Sequence, residues 1–511
     1  MSDFYDIIII GTGAGGGTLA LRLATSGKRI LILERGGFLP REKANWDSAE
    51  VFQKERYHAD EMWKDKDGEE FRPGTGYNVG GNTKVYGSAM LRLRERDFER
   101  VEHKGGISPE WPVKYRDFER YYCEAEVIYE VHGKRGSDPT EPPASTEYPH
   151  PPVSHEPHIQ ELFDRLTAAG GAPFPLPLAI KLNEADPLRS PCIRCNTCDG
   201  FPCLVDGKAD ADVNGVRPAM QRPNVTLMLR AKVTRLLTEK SAREISGVEA
   251  KIAGEKRVFR ASIVVVAAGA INSAALLLRS VSDRHPRGLA NSSDQVGRNY
   301  MRHLNGAMLG VTSTPNPTVF QKTFAMNDFY WGDQDFPYPM GHIQLLGKAD
   351  RGMLEADAPF APGLALEQLA THSIDWWLTA EDLPMASNRV LLGDDGQVQL
   401  HLTDTYHEHF DRLVESWTRI LKSVDDQTHL VPASLYLKKT VPIQGVAHQN
   451  GTCRFGEDPT TSVLDLDCRA HDVENLYVVD GSFFPSAGAV NPSLTIIANA
   501  LRVGDHLLER L

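Results

Sequence analysis

The residues best able to do chemistry fall in three places along the chain. In "GVAHQNGTCRFG" (445–456) a single histidine, His448, sits between a small apolar turn and a Gly-Thr. An imidazole with an ordinary pKa of about 6.5 is largely neutral at working pH and able to accept a proton. Its type allows three roles: a packed core residue, a metal ligand or a catalytic base. In "PCIRCNTCDGFPC", Cys192, Cys195 and Cys198 make two successive C-x-x-C steps, and Cys203 follows. That is the spacing of a zinc or iron–sulfur site. Buried thiols or a structural bridge fit it as well, since "DGFPC" reads as a tight turn. Near the N-terminus, Gly11, Gly13 and Gly16 form G-x-G-x-x-G. The first glycine permits a tight turn, the second lets backbone approach a pyrophosphate, and the third allows close helix packing.

Those glycines mean something only in the right setting, and the elements around them supply it. "FYDIIII" (4–10) is a β-branched run without alternation, as a strand buried on both faces would be. The glycine turn opens a helix through "LALRLATSG", and "RILILERGG" is the next strand, ending on Glu34. Strand, turn, helix and strand form the unit whose helix N-terminus holds an anion. Glu34 suits a ribose hydroxyl pair and disfavours a 2′-phosphate, which selects FAD or NAD over NADP.

The rest of the chain gives coarser readings. Residues 36–78 predict only loops and a short helix. "RPNVTLMLRAKVTRLLTE" and "RVFRASIVVVAAGAINSAALLLRS" predict strands, the latter feeding a small-residue turn and a helix. "DLPMASNRVLLGDDGQVQLHL" reads as strands about a "DDG" turn. "HEHFDRLVESWTRILKSVDD" reads as an amphipathic helix with Phe410, Leu413, Trp417, Ile420 and Leu421 at helical spacing. The Pro-, Ser- and His-rich stretch 134–157 reads as a surface excursion or lid.

A chain of 511 residues exceeds a single hydrophobic core. A net charge of -12 argues against nucleic acid as a partner. The sequence holds no long apolar run and no secretory signal, so no membrane partner and a cytoplasmic location are expected. Seven cysteines do not suggest a disulfide scaffold.

Six blocks in order, "GTGAGGG", "YNVGGNTKVYGSAMLRLRERDF", "VVVAAGAINSAALLLRS", "VGRNYMRH", "AHQNGTCRFG" and "VDGSFFP…NPSLT", span both ends and much of the middle. Together they resemble the glucose-methanol-choline (GMC) oxidoreductases, FAD enzymes that oxidise alcohols and sugars. The resemblance implies an α/β fold in which a discontinuous Rossmann-like FAD-binding domain (1–100, 215–300 and 436–511) is interrupted by a substrate-binding domain and excursion (101–214 and 301–435). That second domain is expected to hold an antiparallel sheet with flanking helices. The pyrophosphate is expected at Gly11, Gly13, Ala14 and Gly16, and the ribose at Glu34 beside Arg35. The flavin is expected along Gly80, Gly81, Asn82, Thr83 and Gly87, and the adenine near Val233. Ala268, Asp480 and Gly481 are expected by the pyrophosphate and ribityl chain. The helix starting near Asn491 and Pro492 is expected to aim its N-terminus at the flavin.

Within the family the chain most resembles the pyranose oxidases and the sugar oxidases acting on C-glycosides, and the "GGNTKVYG" and cysteine blocks favour the latter group. Where pyranose oxidases often carry a flavin-bonded histidine, this chain has Val85, so FAD is expected to be bound but not bonded. The resemblance implies that His448 takes the hydroxyl proton of a sugar or glycoside while the hydride goes to flavin N5. Asn491 orients the hydroxyl, and O2 or another acceptor reoxidises the flavin. No metal ligand is assigned. Gln449 and Thr452 are expected to brace the loop. His342, Gln344, His372, Trp376 and Trp377 are weaker candidates for substrate contact, and Cys453 is expected to be a small buried thiol. A GMC dehydrogenase, a non-sugar alcohol oxidase, an NAD enzyme and a non-catalytic FAD-fold binding protein are the alternatives.

Overall fold

A computed structural model describes residues 4–312, 314–403, 406–424, 428–430, 442–445 and 448–511. Aliphatic strands dictate its central layer. Val225–Met228, Ile30–Leu33, Phe4–Ile10 and the end of Glu255–Val266 lie side by side in parallel. Leu476–Val478 then pairs in parallel with Val264–Val266. Ile7, Ile8 and Ile9 are all fully buried, as are Ile30 to Ile32, which is why neither run alternates. The strand Glu255–Val266 does two jobs, because its first half pairs antiparallel with Ile245–Ile252, itself paired with Ala231–Thr238. Helix Ala14–Leu23 packs against the C-terminal helix Ser493–Arg510, so the two ends of the chain share one core.

A second, antiparallel sheet orders Thr428–Leu430, Leu304–Thr312, Ser373–Ala380, His342–Leu345, Phe324–Met326 and Phe174–Pro175. Helix Glu408–Val424 covers it, burying Phe410, Leu413, Trp417 and Leu421, with Ile420 partly buried. Trp417 meets Trp376 edge to face at 4.6 Å. Because side chains alternate along a strand, Trp376 points to this helix and its neighbour Trp377 to the opposite face.

One expectation needs correction. Residues 36–78 hold more than loops and a short helix: Trp63–Asp65 and Glu70–Phe71 are short strands. They join the hairpin Arg389–Leu392 and Val398–His401 in a four-stranded sheet. Strands of three and two residues carry too little periodicity to be read locally, and their pairing partner lies over 300 residues away. The stretch 134–157, expected as a surface excursion or lid, lines no part of the main cavity. It is tied to its surroundings by Arg135 to Glu126 and by Asp138 to Arg94. The expected unit boundary at 435/436 lies outside the described residues.

Candidate active site

The carboxyl ends of the parallel strands converge, as in other open α/β sheets, on one cavity of about 620 Å³. Gly11 follows Ile10 with φ +101°, a conformation that glycine adopts without strain, and its N–H donates to the Leu33 carbonyl. Two residues into the helix, a Cβ on Gly15 would lie 1.7 Å from the Val479 carbonyl oxygen. The glycine turn is thus built to let three strand ends close on each other. Gly13 faces the other way: a Cβ there would meet no protein atom within 4 Å, leaving room at the helix N-terminus.

Glu34 ends the second strand. Its Oε2 accepts from the Thr12 hydroxyl at 2.5 Å and its Oε1 from the Gly36 N–H at 2.8 Å. Burial raises its pKa, against the lowering effect of those bonds. A carboxylate has about four acceptor positions, so both oxygens keep capacity for a ligand. Beside it, Arg35 stacks 3.4 Å over the Tyr77 ring and pairs with Glu61. Asp480 ties the far side together, accepting from the Gly269 and Ser482 N–H groups, each at 3.0 Å, and from the Ser273 hydroxyl.

The loop "VGGNTKVYG" crosses the cavity, and Lys84 anchors it. Lys84 Nζ donates to Asp210 at 2.8 Å and Asp212 at 3.0 Å, all three side chains being buried. The cysteine-rich loop packs on the same segment: Gly200 N–H donates to the Val85 carbonyl, and Lys208 holds the carbonyls of Cys198 and Phe201. All seven cysteines are free thiols. Among the described residues no group of three or more His, Cys, Asp or Glu has an arrangement that would hold a metal. Cys453 is fully buried.

At the other end of the cavity, His448 and Asn491 both form part of the wall. His448 Nδ1 lies 2.9 Å from Nδ1 of His303, a residue that the sequence reading passed over. Burial, then the neighbouring His303, Lys322 and His342, hold the His448 pKa well below its usual value, so the ring is neutral. Asn491 stands just ahead of helix Ser493–Arg510, and its Oδ1 is buried without a protein partner. Three paired residues of the second sheet, Ala307, Trp377 and Gln344, present one face here. Lys322 completes the wall with Nζ 2.9 Å from the Gly87 carbonyl and paired with Asp199, whose other oxygen accepts from Gly347 N–H.

Of the expected cofactor residues, Gly11, Gly13, Ala14, Glu34, Arg35, Gly81, Asn82, Thr83, Gly87, Val233, Ala268, Asp480, Gly481, Asn491 and Pro492 line the cavity. Gly16 and Gly80 do not. Gly16 packs on the turn itself, where a Cβ would lie 2.2 Å from the Gly11 carbonyl oxygen, and Gly80 packs on Lys84 and Asp212. Gln449 lines the cavity, whereas Thr452 braces its loop through the Ala270 carbonyl. His342 is buried behind the wall between Asn327 and Gln344, and His372 bonds the Thr312 carbonyl, so neither lines the cavity. Val85 and Trp377 line it, and Trp376 does not. His303, Lys322 and Asp199 were missed because tertiary packing brings each to the site; the local signals were His303's place at the end of the "VGRNYMRH" block and Asp199's place inside the cysteine block.

Two family models described as GMC oxidoreductase match the chain, one over residues 5–305 and the other over 397–500. The chain belongs to the GMC oxidoreductases. Paromamine 6′-oxidase of Streptomyces fradiae is 31% identical, over 98% of this chain and 90% of that protein. The 6‴-hydroxyparomomycin C oxidase of Streptomyces lividus is 32% identical, over 99% of this chain and 92% of that one. The crystal structure of pyridoxine 4-oxidase from "Mesorbium loti" shares the fold, with a TM-score of 0.68 at 18% identity and 98% of each chain covered. This GMC oxidoreductase is an FAD-dependent enzyme acting on alcohol groups. Its residues fit that cofactor: the open space at Gly13, the spare acceptors of Glu34 and the orphaned Asn491 oxygen are features a dinucleotide and its ring system would satisfy.

Proposed function

We propose that the protein oxidises a sugar or glycoside at a secondary ring hydroxyl, giving a keto sugar, with O2 or another acceptor taking the electrons. The observation that carries this reading is that His448 and Asn491 line the same cavity as the dinucleotide turn, next to Gln344 and Trp377. FAD, when bound, supplies the acceptor for the substrate hydride. His448 takes the hydroxyl proton, and the Asn491 amide donates to the hydroxyl oxygen, fixing its lone pairs without competing for the proton. Trp377 offers a flat face to a sugar ring and Gln344 a polar contact at its edge. Gly11, Gly13 and Ala14 hold the pyrophosphate, Glu34 the ribose, Val233 the adenine, and the 81–87 loop the flavin. That flavin is non-covalent, since Val85 offers no nucleophile.

On the same reading the chain divides into an FAD unit of 1–100, 215–300 and 436–511 and a substrate unit of 101–214 and 301–435. It works in the cytoplasm on a small molecule rather than on membrane or nucleic acid. Among the described residues no helix is long and apolar enough to cross a membrane.

A second reading follows from the relatives, one of which is named for oxidation at position 6′ of paromamine. An aminoglycoside hydroxyl is then the target. Against it stands Asp199, a cavity carboxylate that is already paired with Lys322. A neutral sugar avoids that buried cation. Anaerobic bleaching of the bound flavin with free sugars, O-glycosides, C-glycosides, aminoglycosides and simple alcohols separates these readings, and oxygen uptake separates oxidase from dehydrogenase. Bleaching by neutral sugars or glycosides is expected, and bleaching by simple alcohols alone would overturn the proposal. His448→Ala is expected to slow bleaching about 10²- to 10⁴-fold; reduction at the wild-type rate would remove the base assignment.

A further inference from the structure

A neutral imidazole carries one N–H and one lone pair, and only the lone pair can take a proton. Which nitrogen of His448 bears it depends on what lies behind the ring. His303 lies there, 1% exposed, with its Nε2 3.4 Å from the Ala487 carbonyl oxygen. A carbonyl oxygen only accepts, so Nε2 of His303 carries its hydrogen and Nδ1 its lone pair. That Nδ1 is 2.9 Å from Nδ1 of His448, a separation at which one partner must be a donor. The donor is therefore His448, and its own lone pair is left on Nε2, the nitrogen remote from His303. In the opposite arrangement a His303 lone pair would oppose the Ala487 oxygen, and His448 Nε2 would carry a hydrogen and take no proton.

We propose that His303 is a positioning residue that holds His448 in the Nδ1–H tautomer, leaving the Nε2 lone pair for the substrate proton. This rests on His448 being the base. Backbone pairing fixes the two rings relative to each other: Met301 and Asn450 exchange N–H···O bonds of 3.0 and 2.9 Å, two residues from His303 and His448 respectively. Asn305 Nδ2 further holds the His303 carbonyl at 3.0 Å. Burial pushes the His303 pKa down to about 4, against the raising effect of Ala487, Glu381 and Gly488. Lys322 and His342 act in the same lowering direction on His448. With both rings neutral, a doubly protonated His303, which could not accept from His448, is not populated near neutral pH.

The test is the tautomer itself, read in ¹⁵N-histidine-labelled holoenzyme by NMR, with His448 assigned from its missing signals in His448→Gln. A pyrrole-type Nδ1 and a pyridine-type Nε2 are expected. His303→Leu is expected to mix the tautomers and slow flavin reduction about 10- to 100-fold at unchanged FAD content. His303→Asn, whose Oδ1 also accepts from His448 Nδ1–H, is expected to restore both. A wild-type His448 in the Nε2–H form, or a His303→Leu protein with unchanged tautomer and rate, would overturn the inference. If His303→Leu does not fold, the wild-type spectrum and His303→Asn decide. Wild-type flavin reduction by His448→Ala would sink the base reading while leaving the tautomer result standing, so the two failures are distinguishable.

Discussion

His448 is surrounded by groups that disfavour its charged form: burial first, then His303, Lys322 and His342. A base whose pKa is lowered keeps its lone pair to lower pH than a free histidine does. The acid limb of flavin reduction by saturating substrate is therefore expected below pH ~6.5, where an ordinary imidazole is already half protonated. Stopped-flow bleaching between pH 5 and 8 checks this, and a limb centred at or above 6.5 would contradict it. The sign for stability is the same: as pH falls through ~6.5 the unfolded chain binds protons that the buried pair refuses, so stability declines. At this scale His448 and Asn491 were legible because each sits in a short block that resembles the family's. His303 and Asp199 also sit in such blocks and Lys322 does not, but none of the three was singled out, because the ring or charge each one meets is brought to it from a distant segment.

Elements decide which side chain of a pair reaches the cavity. "DWWL" offers two tryptophans, and pleating sends Trp376 to Trp417 and Trp377 to the cavity, so only register separates them. The cavity loop depends on Lys84, whose charge is compensated by two buried carboxylates. Removing one partner of a buried ion pair costs about 3 to 5 kcal/mol. Lys84→Ala is expected to lower stability by that order in denaturant unfolding and to weaken flavin retention on gel filtration. Unfolding coincident with wild type would show the pair to be dispensable. The main strands and helices followed from apolar runs, helical spacing and turn residues, whereas Trp63–Asp65 and Glu70–Phe71 exist only because Val398–His401 supplies a partner.

Over the whole molecule, the cavity joins the N-terminal turn, the second sheet and the C-terminal helix, so a ligand there couples parts far apart in sequence. FAD that binds only the folded chain adds about 2.7 kcal/mol at a hundredfold excess over its Kd. Removing it is expected to lower Tm and adding it back to restore Tm in a concentration-dependent way. Acid precipitation is expected to leave the yellow colour in solution, since Val85 cannot bond the flavin; a yellow pellet would contradict this. The sequence by itself determined the parallel layer, the glycine turn with Glu34 at the neighbouring strand end, the family, and His448 with Asn491 as a candidate pair. The layer and the turn rest on local chemistry, hydrophobic pattern and residue type at fixed spacing; the family and the candidate pair rest on the resemblance of six ordered blocks. Only the tertiary structure decided that His303 backs His448, that Lys322 neutralises Asp199, that Gly80 serves packing, and that Asp138 pairs with Arg94. Each of those depends on the approach of segments distant in sequence, and pairing, burial and charge compensation at such meetings are properties of the folded chain alone.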